Sequence, residues 1–161
     1  MDTFTLQARD ICVAFPGVKA LEHVDFQLLP GEIHALAGAN GAGKSTLMKV
    51  LAGTNPGYVG EVWLDGRPVE LRSPVIAKKL GIQIVYQEVD QALVPALSAA
   101  ENILLDELGE RRKIWINWRV LYQRAEEIKR QLNMDFDVRT PVSRLTLAQK
   151  QMILIARAIH S

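Results

Sequence analysis

Eight consecutive residues constrain this chain more than any others: Gly38-Ala39-Asn40-Gly41-Ala42-Gly43-Lys44-Ser45. They fit the pattern G-x-x-x-x-G-K-[ST] in full. Glycines let the backbone fold tightly enough for successive N–H groups to point inward at phosphate oxygens. A helix beginning at Lys44 adds the positive end of its dipole. Lys44 then supplies a point charge for β- and γ-phosphates, and the Ser45 hydroxyl supplies a ligand for Mg2+. The motif carries weight only between a strand and a helix. The flanking sequence predicts both: Ile33-His34-Ala35-Leu36-Ala37 reads as a short buried strand, and 44–51 as a helix that stops near Gly53.

The rest of the chain reads as strands alternating with helices. Residues 4–15 and 24–28 alternate loosely, as half-buried strands do. Pro30-Gly31 and Asp65-Gly66 are turn signals, the second closing a strand over 61–64. Ser73-Pro74 predicts a helix start, with serine as N-cap and proline at the first helical position, and that helix ends at Gly81. Residues 82–86 read as another strand. Ser98 and Glu101 have capping-box spacing, which predicts a helix over about 99–108. Asn117 can cap a longer helix whose Trp118, Leu121, Ala125, Ile128 and Leu132 share one face. A last helix runs from 146 or 147 to 159. Such alternation argues for an α/β fold around a mostly parallel sheet.

Composition excludes more than it identifies. The 161 residues carry 19 basic and 18 acidic side chains, a net charge of +1, which gives no electrostatic case for nucleic-acid binding. The single cysteine, Cys12, cannot form an internal disulfide and suits a reducing compartment as a small packed residue. No apolar run is long enough to span a bilayer, and the N-terminus lacks a signal-peptide pattern. A soluble, intracellular domain is expected.

Taken together, 24–53 (VDFQLLPGEIHALAGANGAGKSTLMKVLAG) resembles the nucleotide-binding domain of ABC transporters, in the flavour of the ribose- and galactose-type sugar importers. Phe15-Pro16-Gly17-Val18-Lys19-Ala20-Leu21 and Leu97-Ser98-Ala99-Ala100-Glu101-Asn102-Ile103 are similar to the same subgroup. The resemblance covers essentially the whole chain, in the family's order. It implies one ATP-binding domain over 1–161, with 1–87 and 146–161 in the sheet part and 88–145 as a helical subdomain. It implies ATP and Mg2+ bound through Gly38 to Ser45 and Thr46. Phe15 falls where the family stacks an aromatic ring on adenine; composition alone reads it as a core residue of a strand. Gln87 falls where a glutamine approaches Mg2+ and the attacking water, with 88–95 as the mobile stretch that couples to the membrane subunit. Leu145-Thr146-Leu147-Ala148-Gln149 occupies the place of the L-S-G-G-Q signature, which reaches the γ-phosphate of a dimer partner. Both glycines are replaced, and an ordinary capped helix burying Met152, Ile155 and Ile159 explains the same periodicity. The implied partners are transmembrane permease subunits, a second ATP-binding domain and, indirectly, a sugar-binding protein. The implied location is the cytoplasmic face of the cell membrane.

The family places an apolar strand ending in Asp-Glu, and a histidine switch, after the signature. Because the sequence stops at Ser161, it reads as a truncated ATPase domain that binds ATP and hydrolyses little by itself. Ile103-Leu104-Leu105-Asp106-Glu107 imitates the Asp-Glu strand, but the capping box before it predicts a helix. His23, His34 and His160 fit no switch position: His34 reads as a satisfied strand residue, the others as surface residues. Arg111-Arg112-Lys113 reads as a solvated loop. Three further readings stay open: a soluble ABC protein acting on nucleic acid, a non-ABC P-loop kinase using Asp106 and Glu107 for metal, and a binding-only pseudoenzyme.

Overall fold

The computed structural model describes residues 5–85, 88–110 and 116–160. Their contacts divide the chain into two compact units, 1–83 and 84–161.

The first unit is built on a hairpin of β1 (Leu6–Phe15) and β2 (Val18–Leu28). With β3 (Val59–Leu64) and β4 (Arg67–Val69) it forms a four-stranded sheet in the order β2-β1-β3-β4, every pair antiparallel. The loose alternation of β1 has a cause. Leu6 and Ala8 are buried, then Ile11 and Val13, and the extra residue between them falls at a register shift where Asp10 turns to φ 53°. A bulge inserts one residue and returns the strand to its inner face. The Asp65-Gly66 turn has φ 47° and 75°, the paired positive values of a tight hairpin turn. Helix α1 (Lys44–Leu51) buries Leu47, Val50 and Leu51 beside Ile11, Val62 and Leu71 in one apolar core. Helix α2 (Pro74–Lys79) starts as predicted: Ser73 Oγ accepts the Ile76 N–H at 3.3 Å.

Two strand expectations are corrected. Residues 33–37 join no ladder, with Ile33 99% and Leu36 37% exposed. Residues 82–85 form no strand either, and Tyr86 lies outside the described residues. A strand exists only when its N–H and C=O groups meet a neighbour, and among the described residues no strand pairs with either segment. The described sheet is accordingly antiparallel, where a mostly parallel one was expected.

The second unit is helical: α3 (Val89–Ala92), α4 (Ala99–Ile103), α5 (Leu105–Glu110), α6 (Trp118–Gln131) and α7 (Leu147–His160), with a 3-10 turn at Val142–Arg144. The capping box forms in both directions. Glu101 N–H donates to Ser98 Oγ at 3.3 Å, and Ser98 N–H donates to Glu101 Oε2 at 2.7 Å. Leu104 breaks the predicted helix into α4 and α5. Ile103 and Leu105-Asp106-Glu107 are helical, so the strand required by the kinase reading is absent there. Asn117 Oδ1 caps α6 by accepting from Val120 N–H.

Helix faces follow their partners rather than their periodicity alone. On α6, Leu121, Ala125 and Ile128 are buried as expected, but Trp118 is 47% exposed and stacks on Tyr122. On α7, Ile153, Leu154 and Ala156 are buried, whereas Met152 is half-buried and Ile155 and Ile159 are exposed. Apolar residues surround α7, so periodicity does not choose a face; contact with α3 and α4 does. That contact groups 147–160 with the helical unit, whereas the sequence reading grouped 146–161 with the sheet part.

Candidate phosphate-binding site

The loop from Gly38 to Gly43 enters α1 directly. Gly43 is the N-cap, with φ 85°, a conformation that costs a residue with a Cβ about 1–2 kcal/mol. Its surroundings exclude a side chain as well. A Cβ there would lie 2.6 Å from both Ala20 O and Leu21 Cδ2 of β2. The loop is therefore pressed backbone-first onto the β1–β2 hairpin, which ends at its turn in Phe15. That ring is 48% exposed, and Phe15 pairs with Val18. A turn closed by Ala42 N–H to Ala39 O at 3.2 Å shapes the middle of the loop.

Lys44 fits the phosphate role by what it holds in this structure. Its Nζ donates to the carbonyl oxygens of Gly38 and Ala39, both at 2.7 Å, so the loop is wrapped over its own ammonium. An anion arriving in the loop meets that charge already in position. The first turn of α1 contains no acidic residue and no side-chain cap. Its N–H groups and dipole thus stay available to an anion. Ser45 is exposed in that turn, and Thr46 is half-buried. The tightly turned glycine loop and the positioned ammonium suit a polyphosphate.

Other predicted residues are distributed as follows. Gln87 lies outside the described residues, as do Arg111, Arg112 and Lys113. The segment after Gln87 is held by the far end of the chain: Lys150 Nζ meets Asp90 Oδ1 at 2.7 Å, and Arg157 Nη1 donates to Ala92 O at 2.8 Å. Leu145 is buried, while Thr146, Leu147 and Ala148 are exposed. Thr146 and Gln149 form a reciprocal cap: Thr146 N–H donates to Gln149 Oε1 at 3.0 Å, and Gln149 N–H donates to Thr146 Oγ1 at 3.4 Å. Gln149 Nε2 also donates to Asp135 O. The cap starts α7 with Leu147 and Ala148 exposed. His34 is satisfied by Glu32 at 2.9 Å, though not on a strand, and His23 is exposed. His160 is half-buried, not a surface residue.

Sequence reading passed over Asn102 and Arg157. Asn102 is fully buried. Its Oδ1 accepts from Val94 N–H at 2.8 Å, and its Nδ2 donates to Val94 O and Ser98 O, each at 3.0 Å. Arg157 Nε donates to Asn102 O at 2.8 Å. Burial pushes the Arg157 guanidinium below its ordinary range, against the opposing pull of Asp106. A polar residue on the buried face of α4 was the one available signal.

The family and the fold are shared with known proteins. The family model described as ABC transporter matches residues 21–161. A ribose import ATP-binding protein of Rubrobacter xylanophilus is 46% identical over 154 residues, covering 96% of this chain and 30% of that protein. A xylose import ATP-binding protein of Geobacillus kaustophilus is 42% identical over 161 residues, covering 99% of this chain and 31% of that one. An arabinose import ATP-binding protein of Chromohalobacter salexigens is 49% identical over 150 residues, covering 92% and 30%. The chain thus spans about a third of the length of these curated relatives. Among solved structures, cbiO1 of Clostridium perfringens, part of an ABC transporter complex, is similar with a TM-score of 0.77 at 22% identity, covering 98% of this chain and 61% of that one. The dimeric bacterial cassette MJ0796 gives 0.76 at 23% identity, covering 96% and 68%. At such identities these two speak for the fold, an α/β cassette. With the family model matched over most of its length, the chain belongs to the ABC transporter family.

Proposed function

We propose that this chain is the ATP-binding, energy-coupling part of an ABC importer for a monosaccharide. The observation that carries the reading is the loop at Gly43, packed too closely on β2 for any side chain and folded over the Lys44 ammonium. ATP supplies the phosphate charge and Mg2+ neutralises part of it. Loop N–H groups and Lys44 hold the phosphates, and Ser45 ligates the metal. The exposed ring of Phe15 offers a face for adenine, a contact that reads no base edge. Gln87 orients water or metal. Thr146 to Gln149, with a helix N-terminus behind them, approach the γ-phosphate held by a second cassette.

The sugar assignment is supported by relatives named for ribose, xylose and arabinose import. The whole protein would couple ATP hydrolysis to transport through permease subunits and a sugar-binding protein, lying peripherally on the cytoplasmic face. Among the described residues no helix is long and apolar enough to cross a membrane.

The test is uptake. Deleting the gene that encodes this sequence is expected to abolish import of one labelled pentose or hexose. The full-length wild-type gene should restore it and the Lys44→Ala gene should not. Unchanged uptake of every monosaccharide tried, or rescue by Lys44→Ala, overturns the proposal.

A further inference from the structure

Away from the phosphate loop, the β1–β2 hairpin brings together a carboxylate, a thiol and an imidazole. The donor atoms of Asp10, Cys12 and His23 all lie within 4.8 Å of one another, the one such cluster among the described residues. His23 Nδ1 is 2.6 Å from Asp10 Oδ1, and the His23 N–H donates to Cys12 Sγ at 3.2 Å. The fold itself assembles the group. Register shifts on either side of Ile11 bulge the hairpin, and Asp10 and His23, with φ 53° and 50°, project from the bulges. Asp25 Oδ1 fixes the Asp10 backbone by accepting its N–H at 2.8 Å.

From this donor set we infer that Asp10, Cys12 and His23 form a binding site for a borderline divalent cation of the zinc type, with solvent as the fourth ligand. One sulfur, one nitrogen and one oxygen donor suit Zn2+, whereas Mg2+ and Ca2+ take oxygen ligands. Three protein ligands leave a tetrahedral ion one open position. The short His23–Asp10 contact currently shares a proton that a cation would replace. Ligand distances of roughly 2.0–2.3 Å set tetrahedral donors about 3.3–3.5 Å apart, so the His23–Asp10 pair, now at 2.6 Å, must open while any pair near the 4.8 Å limit closes. Asp10 and His23, with side chains 68% and 72% exposed, are free to rotate. Binding releases the Cys12 thiol proton. It also releases the imidazolium proton wherever His23 is charged, and the hydrogen bond that His23 donates to Asp10 holds that ring above its ordinary value. The site is separate from the nucleotide reading and stands or falls without it.

The experiment is a titration of the purified, reduced chain with Co2+, followed by displacement with Zn2+. One equivalent of Co2+ is expected to give a near-ultraviolet thiolate-to-cobalt charge-transfer band. Because the sequence has a single cysteine, that band can come only from Cys12. Zn2+ should abolish the band, Cys12→Ser should not show it, and His23→Ala should weaken Zn2+ binding at least tenfold. Asp10→Asn keeps the side-chain shape and provides a second test of affinity should His23→Ala unfold. No charge-transfer band, a band that survives Cys12→Ser, or unchanged affinity in both ligand variants overturns the site.

Discussion

Gly43→Ala is expected to lose nucleotide binding and to destabilise the sheet unit by about 2–5 kcal/mol. That range combines the ~1–2 kcal/mol cost of a Cβ at left-handed φ with the ~1–3 kcal/mol cost of overpacking. Both apply here, since φ is 85° and the new Cβ would meet Ala20 O and Leu21 Cδ2 at 2.6 Å. Relief requires the loop to lift from β2, which removes its amides from their inward arrangement. Gly41 provides the control. It has the same φ of 85°, but a Cβ added there would meet nothing within 4 Å, so Gly41→Ala should cost only about 1–2 kcal/mol. Urea denaturation of the two variants separates backbone strain from close packing. Equal losses would show that the hairpin contact contributes nothing.

Asn102→Ala should be the second large effect, a loss of about 1–3 kcal/mol in the helical unit. The amide is fully buried and serves Val94 on both its N–H and C=O while also reaching Ser98 O. Arg157 Nη2 adds a contact to Oδ1 at 3.3 Å. Truncation leaves the Val94 N–H without a partner, at about 1–3 kcal/mol, while Val94 O keeps the Leu97 N–H and Ser98 O keeps the residue 102 N–H. Water entering the small space recovers part of that. Because the same side chain anchors Val94 to α4, hydrogen exchange at the Val94 amide should accelerate in step with the stability loss. A loss below about 1 kcal/mol, with Val94 still protected, would contradict the network.

What the sequence revealed follows the range of the interaction. Ser73, Ser98 and Asn117 were readable as caps because each bonds a residue three positions on. The phosphate loop was readable because its glycines and lysine form one local motif. Thr146 and Gln149 share the capping spacing of Ser98 and Glu101, and the ordinary capped helix that the sequence also allowed there is present. Residues 33–37 and 82–85 have strand composition and no described strand beside them, and composition cannot supply a partner. The buried face of α7 was unreadable because Leu147, Met152, Ile155 and Ile159 make it apolar nearly all round. Asn102 and Arg157 lie 55 residues apart in sequence, so only the folded chain joins them.

The most direct measurement is titration of this chain with a fluorescent ATP analogue and Mg2+, wild type beside Lys44→Ala. Hydrogen bonds to charged groups contribute roughly 1.5–3 kcal/mol, so removing the Lys44 ammonium should weaken binding about 10–100-fold. Saturable binding by the wild type that is lost to this extent in the variant is the predicted result. Equal affinity in the two chains, each shown to be folded, would contradict a phosphate site at this loop.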